Sequence, residues 1–180
     1  FITYHYSVDG VTVEIQKYAK ALKSFLPDMP IHFISGSFLP EADCFIDKSY
    51  KRHTLKEING FDSWSLYEDF FFTKLQRGSK EYNELIVKFW KEVLLIIKKL
   101  GTCIETNNIE LLYLVNVCSN PGNVSLSLAV ALLSEYLQIP VINNNHDYYW
   151  EGGNRKIDIK KKKQEPTKNK EDIKPEISSK

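Results

Sequence analysis

The stretch LQIPVINNNHDYYWEGG, residues 137–153, changes abruptly from apolar to polar sequence. Val141 and Ile142 follow a short turn, and three asparagines, His146 and Asp147 come directly after them. In a parallel α/β sheet such a change marks the carboxyl edge of a strand, where ligands bind. Burial explains the apolar pair but not the polar run. This stretch therefore predicts both a strand and a binding site.

The rest of the chain alternates between strand and helix patterns. β-Branched and aromatic runs predict strands at residues 1–6, 31–35 and 109–117, in addition to 141–142. Apolar residues at helical spacing predict helices at 11–25, 81–100 and 124–137. Gly101 is expected to end the second helix, and Asn123 to cap the start of the third. Residues 37–80 contain proline and glycine breaks, and irregular structure with a hairpin and a helix is expected there.

The order of these elements predicts the fold class. Strands and helices in alternation favour an α/β, Rossmann-like, doubly wound domain with a mainly parallel sheet. Three loops, at 7–11, 119–123 and 143–153, are then expected to meet at one sheet edge. Residues 1–154 are long enough to form one such domain. Residues 155–180 are lysine-rich and lack aromatic residues, so a disordered basic tail is expected.

Charge and composition exclude several classes of function. From Arg155 onward the chain has ten Lys or Arg and five Asp or Glu, which leaves a net charge of −4 on residues 1–154. That deficit argues against nucleic-acid binding. Three widely separated cysteines predict a reduced, cytoplasmic protein without a disulfide framework. No apolar run is long enough to span a bilayer, so membrane contact is expected to be peripheral at most. The chain begins inside an apolar stretch without methionine, and residues upstream are expected.

Two turns contain residues suited to a ligand. The turn Asp9-Gly10-Val11 places backbone N–H groups at a helix amino end, where a phosphate or carboxylate is favoured. The alternative is a tight turn that needs glycine only for its backbone conformation. The side-chain amides of Asn120 and Asn123 could bind sugar hydroxyls, or they could serve only as cap and turn residues.

The polar stretch itself supplies the strongest candidate, His146. An imidazole at a strand's carboxyl end can bind a substrate hydroxyl or transfer protons near neutral pH, although a structural histidine is the alternative. Asp147 and Glu151 do not define a carboxylate pair, because their spacing fixes no distance. Trp150 and the two tyrosines before it could stack on a sugar or pack on another domain. The aromatic cluster at 61–72 is expected to add a core layer rather than form a lid.

The remaining histidines do not suggest a metal site. His5 is expected beside the first strand near the cleft, His32 in the second strand and His53 in a polar loop. No pair among them has metal-ligand spacing.

Five motifs, taken in order, resemble a known family. They are DGV at 9–11, YAKAL at 18–22, MPIHFIS at 29–35, QIPVI at 138–142 and NNHD at 144–147. Together they resemble the amino-terminal half of family 4 retaining glycosyltransferases, which have the GT-B architecture of two facing Rossmann-like domains. The likeness covers residues 1–153 and is weak between 37 and 105. It departs from the family pattern at Asp9, which replaces a glycine, and in the extension at 150–153.

The resemblance implies roles for particular residues. The donor is a nucleotide-sugar co-substrate, no cofactor or metal is implied, and His146 is the implied catalytic residue. The implied donor-binding residues are Gly10, Val11 and Asp147. The implied acceptor-binding residues are Asn120, Asn123, Asn145, Trp150 and Glu151.

The family's carboxyl-terminal domain supplies most of the donor pocket, including basic residues on the diphosphate and an E-x7-E motif. Without that domain the leaving diphosphate lacks charge compensation, so these residues alone are expected to transfer no sugar. Two alternatives remain open from the sequence. One is a non-catalytic carbohydrate-binding or interaction module derived from such a domain, and the other is a small nucleotide-binding protein.

Overall fold

A five-stranded, all-parallel sheet forms the centre of the protein, in a computed structural model that describes residues 1–119 and 122–146. The strand order is β3-β2-β1-β4-β5. The strands are β1 (Ile2–Tyr6), β2 (His32–Phe38), β3 (Lys51–Thr54), β4 (Leu112–Val115) and β5 (Val141–Asn144). The predicted Rossmann-like α/β fold is confirmed. The predicted basic tail lies outside the described residues.

Helices cover both faces of the sheet. They are α1 (Gly10–Phe25), α2 (Tyr67–Phe71), α3 (Lys80–Thr106) and α4 (Val124–Leu137). On one face, Ile15 of α1 packs in a buried cluster with Phe33 of β2. On the other face, Val93 of α3 and Leu126 of α4 belong to a larger cluster with Leu114 of β4. The result is a three-layer sandwich, as expected for a parallel sheet buried on both sides.

The winding direction of the chain reverses between β1 and β4. Strand β1 pairs with β2 through Ile2 and Ile34, and with β4 through Ile2 and Leu114. The chain proceeds from β1 outward to β3, returns to β4, and then proceeds outward to β5. Loops leaving β1 and β4 consequently turn toward opposite faces. Such a switch point leaves a crevice at the carboxyl edge of the sheet.

Residues 37–80 contain a parallel edge strand that the sequence pattern did not predict. β3 pairs in parallel with β2, His32 opposite Lys51 and Ser35 opposite Thr54, so the expected hairpin is wrong. His53 lies in this strand and not in a loop. The sequence of β3, KRHT, does not alternate between apolar and polar residues. An edge strand can dispense with that pattern because its side chains stay partly exposed and backbone pairing holds it.

The aromatic cluster after β3 is an additional layer of the core, as predicted. Trp64 is buried, and its ring lies 5.2 Å from that of Phe70. The ring of Phe70 in turn lies 5.2 Å from that of Phe89 on α3. These contacts cover the face of the sheet that α3 and α4 occupy.

Helix α3 runs past the glycine that was expected to end it. The helix continues through Gly101 to Thr106, so that predicted boundary is wrong. Gly101 is buried, and a Cβ at this position would lie 3.3 Å from Cδ2 of Leu133 on α4. The glycine therefore allows two helices to approach closely, and it does not act as a cap.

Strand β4 is shorter than the apolar run that predicted it. It ends at Val115, because Asn116 has a φ of 58°, outside the range of a strand.

The hydroxyl of Tyr4 fastens the loop between β4 and α4. It donates to the carbonyl of Val117 at 2.9 Å and accepts from the backbone N–H of Gly122 at 3.1 Å and of Asn123 at 3.3 Å. Burial raises the pKa of Tyr4, so the hydroxyl keeps its proton. A Cβ on Gly122 would lie 2.8 Å from the Tyr4 ring and 3.1 Å from the Phe61 ring. This loop therefore has one tightly defined position beside β1.

We expect Gly122→Ala to destabilise the fold by about 1–3 kcal/mol, the usual cost of forcing an extra methyl group into a packed site. The matched control is Gly10→Ala, because a Cβ there would meet no other part of the described chain within 4 Å. Urea unfolding of the two variants measures the difference. Equal midpoints would show that the Tyr4 and Phe61 rings do not confine the loop.

Candidate functional site

Polar side chains from α1, β4 and β5 meet at the carboxyl edge of the sheet, beside the switch point. We refer to Gly10, Glu14, Tyr18, Asn116 and His146 as the edge site. The first three follow one another at intervals of four residues on α1 and therefore share one helix face. Asn116 follows β4, and His146 follows β5.

The amino end of α1 is capped by a carboxylate. Asp9 Oδ1 accepts from the N–H of Thr12 at 2.7 Å, and Asp9 Oδ2 accepts from the hydroxyl of Ser7. His5 Nε2 lies 3.5 Å from Asp9 Oδ2. The cap places negative charge at a helix end that otherwise favours anions. A phosphate at this end would meet a carboxylate.

Open space lies next to Gly10, the first residue of α1. Among the described residues outside this turn of α1, no heavy atom would lie within 4 Å of a Cβ at this position, and Gly10 is exposed. Val11 follows it, with a side chain that packs partly against the cluster on the α1 face. A ligand can therefore approach the backbone of Gly10 closely.

Glu14 joins α1 to the segment after β5. Its Oε2 lies 2.8 Å from His146 Nε2, and its Oε1 accepts from the hydroxyl of Tyr18 at 2.7 Å. Both side chains of the Glu14–His146 pair are partly exposed, with 27% and 34% of their surface accessible. Both carboxylate oxygens are thus engaged, and the imidazole is held without being sealed from solvent.

Asn116 holds the backbone of His146 in place. Its Oδ1 accepts from the His146 N–H at 2.8 Å, and its own N–H donates to the carbonyl of Asn144 at 3.0 Å. The positive φ of Asn116 turns the chain out of β4 toward β5, and asparagine tolerates that conformation better than most residues. One residue thus ends β4 and fixes the position of the candidate histidine.

Tyr113 packs beside Tyr18 of the edge site, and it also lines a cavity that extends toward the amino edge of the sheet. The hydroxyl of Tyr113 on β4 accepts from Asn144 Nδ2 at 3.1 Å, and the Tyr113 ring lies 5.5 Å from that of Tyr18. Burial, with the neighbouring Tyr18, raises the pKa of Tyr113, so it remains a neutral phenol. Aromatic faces with polar tips suit a ligand that has both apolar and hydroxyl surfaces.

The hydrogen bonds indicate what His146 can do chemically. Because a carboxylate only accepts, the proton in the Glu14–His146 contact belongs to Nε2. In the neutral imidazole Nδ1 is then the acceptor, available to a ligand hydroxyl or as a base. Within the described residues the charged members of these contacts are Asp9, Glu14 and histidines, with no lysine or arginine among them. The geometry of these contacts suits hydroxyl recognition or proton transfer.

The predicted site residues have different outcomes. Gly10, Val11, Asn145 and His146 lie at the carboxyl edge, where the sequence predicted them. Oδ1 of Asn145 is buried without a hydrogen-bond partner among the described residues. Four predicted residues lie outside the described residues: Asn120, Asp147, Trp150 and Glu151.

The predicted role of Asn123 in binding the acceptor substrate is wrong, because its side chain is not accessible to a ligand. The residue is fully buried. Its Oδ1 accepts from the Leu126 N–H at 2.9 Å, and its Nδ2 donates to the carbonyls of Glu57 and Asn59 at 3.1 and 2.8 Å. The predicted helix cap is confirmed, and the binding role is replaced by an internal tie between α4 and the segment after β3.

Sequence reasoning missed Glu14, Tyr18 and Asn116. The interval of four residues from Gly10 to Glu14 to Tyr18 was a readable signal that these residues share a face of α1. The partner of that face could not be read, because it depends on the path of the chain after β5. Asn116 was included in the predicted strand, although it is the first polar residue after the apolar run.

Two features away from the edge site resemble functional sites but do not belong to it. Glu84 and Glu92 have the E-x7-E spacing, but they lie on α3, across the sheet from α1, and Glu92 Oε2 accepts from Trp64 Nε1 at 2.8 Å and Ser125 Oγ at 2.9 Å. A cavity of about 180 Å³ lies at the amino edge of the sheet, lined mainly by apolar residues that include Met29 and Ile109. Strand polarity places this cavity at the end opposite the edge site, so it takes no part in that chemistry.

Metal binding and membrane spanning find no support in the part of the chain that the structure describes. No group of three or more His, Cys, Asp or Glu there could hold a metal ion. His32 Nδ1 and His53 Nε2 do lie 2.9 Å apart, but as a pair of neighbouring strand residues without a third ligand. None of the helices there is long and apolar enough to cross a bilayer.

Comparisons of the chain with protein-family models, with curated proteins and with solved structures gave no match.

Replacing Asn116 by glycine tests whether its side chain positions His146. Glycine accepts the positive φ, so the substitution removes the Oδ1 acceptor without backbone strain. Loss of a hydrogen bond worth about 1 kcal/mol predicts roughly fivefold faster hydrogen exchange at the His146 amide. Asn108→Gly is the matched control, because Asn108 has a φ of 50° at the other end of β4. Unchanged exchange at His146 in Asn116→Gly would remove Asn116 from the site.

Proposed function

We propose that the chain is the acceptor-side, amino-terminal half of a retaining glycosyltransferase, and that the edge site holds the sugar of a nucleotide-sugar donor. The transferred sugar passes to an acceptor that binds at the neighbouring loops. His146 is the proposed catalytic residue, and Glu14 positions it. The order of sequence motifs that resembles family 4 enzymes motivates the proposal.

The observation that supports this proposal most is that Glu14 holds His146 and lies one helical turn from Gly10, a glycine next to open space among the described residues. Glu14 contacts His146 at 2.8 Å, and Gly10 lies one helical turn, about 6 Å, before Glu14 on α1. The described residues leave the space next to Gly10 open. A ligand in that space would contact the backbone of α1 within one helical turn of Glu14, the residue that holds the imidazole.

The charge of the site limits what these residues do alone. Asp9 and Glu14 are acidic, and no cation joins their contacts within the described residues. Departure of a nucleoside diphosphate requires compensation of its negative charge. In the proposed enzyme a second domain supplies that compensation, and this chain supplies hydroxyl recognition, the histidine and the acceptor side.

The Asp9 cap favours a second candidate function, a carbohydrate-binding module without transfer activity. The Asp9 carboxylate occupies the helix end that a diphosphate would otherwise use. A neutral sugar meets no such repulsion, and the imidazole, the asparagines and the tyrosine rings suit its hydroxyls and its apolar face.

Calorimetric titration with UDP-glucose, GDP-mannose, methyl glucoside and methyl mannoside tests the proposed site. We expect Gly10→Ala and His146→Ala each to weaken binding of the preferred sugar by about tenfold, or about 1.4 kcal/mol. Gly10→Ala is the sharper variant, because the added methyl group meets no neighbouring side chain in the part of the chain that the structure describes, and a ligand in the open space would contact it. Tyr136→Ala is the control, since this α4 side chain is 82% exposed and does not belong to the edge site. Wild-type affinity in both site variants would reject the edge site as the binding site.

Asp9→Ser separates the two candidate functions. Serine keeps a side-chain oxygen for the helix cap and removes the negative charge. If a diphosphate lies at this helix end, the variant should bind UDP-glucose several-fold more tightly and the methyl glycoside equally well. Equal effects on both ligands, with no binding of UDP alone, would favour the carbohydrate-binding module over the transferase.

A further inference from the structure

Helix α3 presents exposed apolar side chains on the side that faces away from the core. The outer face of α3 is defined here by seven residues, four of them apolar and three of them lysine. The apolar side chains are exposed by 52%, 45%, 60% and 42% at Val87, Trp90, Leu94 and Leu95, respectively. The inward face of the same helix is already buried through Leu85, Phe89, Val93 and Ile96. The outward apolar residues therefore lie outside the buried core, which the Trp90 ring touches at its margin, 5.9 Å from the ring of Phe89.

Between residues 87 and 98 the charges on this outer face have one sign, and Glu84, one turn earlier on the same side of α3, is paired with Lys80 at 3.9 Å. Lys88, Lys91 and Lys98 are exposed among the apolar residues. The one acidic residue between 87 and 98 is Glu92, which accepts hydrogen bonds from Trp64 and Ser125 and so belongs to the packed side. Over about 16 Å of helix, at 1.5 Å per residue, the surface thus combines apolar side chains with an unbalanced positive charge.

We propose that the outer face of α3 docks on an anionic lipid bilayer. Helices that lie in a membrane interface combine lysines with Trp and Leu in this way, because the apolar side chains enter the acyl boundary while the charges contact lipid headgroups. Trp90 suits the headgroup level, and the lysine stems can extend to keep their ammonium groups there. Helix α3 is not apolar enough to cross a bilayer, so the proposed docking places it on the surface.

An anionic bilayer fits the outer face better than a folded partner or a nucleic acid. A helix surface is convex, and lysines separate its apolar side chains, so a protein partner would need a matching groove with acidic groups at three fixed positions. A bilayer adapts its surface to these side chains. A phosphate backbone would attract the lysines but offers no apolar surface to Val87 and Leu94.

Docking through α3 leaves the edge site accessible. Residues of α1 pack on one face of the sheet, and residues of α3 pack on the other. The bilayer would therefore contact the side of the domain away from Gly10 and Glu14. The proposal is independent of the glycosyltransferase proposal, since it uses none of the edge-site residues.

Cosedimentation of the full chain with vesicles tests the docking surface. The vesicles contain either phosphatidylcholine alone or equal parts of phosphatidylcholine and phosphatidylserine. We expect binding to the anionic vesicles that falls at least tenfold when Lys88, Lys91 and Lys98 are all changed to Gln. Changing Val87 and Leu94 to Ser should cause a similar loss with the lysines intact. The control changes the exposed lysines Lys17, Lys20 and Lys48 to Gln, which removes the same charge elsewhere and should leave binding nearly unchanged.

Tryptophan fluorescence gives a second readout, which electrostatic attraction alone, without insertion of apolar side chains, would not change. Anionic vesicles should shift tryptophan emission to the blue, and Trp90→Phe should abolish that shift, because Trp90 is on the outer face. All variants retain the lysines of residues 155–180, so binding by that segment alone would leave the α3 variants at wild-type affinity and would overturn the proposal. Self-association without vesicles, lost in the Val87 and Leu94 double variant, would also overturn it by assigning the surface to a second copy. Circular dichroism confirms that each variant is folded.

Discussion

The parallel pairing of β1 with β4 is the constraint on which the edge site depends. It joins two halves of the sheet that wind in opposite directions, and it brings the carboxyl ends of both strands to the same edge. The loop after β1 becomes the start of α1 on one face, and the loop after β4 leads to α4 on the other. The crevice between them is a property of topology, and the side chains that line it can vary without changing the fold.

Polar side chains at this edge mostly fix the chain, and a few remain for a ligand. Tyr4 fastens the loop before α4, and Asn123 ties that loop to the segment after β3. Asn116 holds the segment after β5 by the backbone of His146. The imidazole of His146 is held by Glu14, and its backbone is held by Asn116. Preorganisation of this kind reduces the entropy lost when a ligand binds.

The layered fold could be predicted from the sequence because burial imposes regular patterns. The apolar run at 109–117 and the helical spacing at 11–25 reflect packing, so they predicted β4 and α1 within a few residues. Strand β3 could not be predicted in the same way, because it lies at an edge of the sheet and is held by backbone pairing. Backbone pairing does not require an apolar pattern, and the sequence KRHT has none. The predicted end of α3 at Gly101 is wrong for a related reason. The sequence does not distinguish a glycine that ends a helix from one that allows two helices to pack closely.

The candidate site was predicted in location and only partly in composition. His146 and Gly10 were recognised because polar or flexible residues follow predicted strands. Glu14 was not, because its importance comes from a 2.8 Å contact across a long stretch of chain. The sequence predicts a ligand-binding role for Asn123, whereas its side-chain amide hydrogen-bonds to the Leu126 N–H of α4 and to the carbonyls of Glu57 and Asn59. Which of several polar residues at an edge remain unpaired is a tertiary property that local sequence does not encode.

Mapping of amide chemical shifts in the isotope-labelled chain, during titration with UDP-glucose and GDP-mannose, tests directly whether the edge site binds a sugar. We expect the largest changes to fall together on Gly10, Asn116 and His146, three residues that are far apart in sequence and lie at the same carboxyl edge of the sheet. Changes confined to the amino-edge cavity around Met29 and Ile109, or none with any nucleotide-sugar or methyl glycoside, would contradict a binding site at the carboxyl edge.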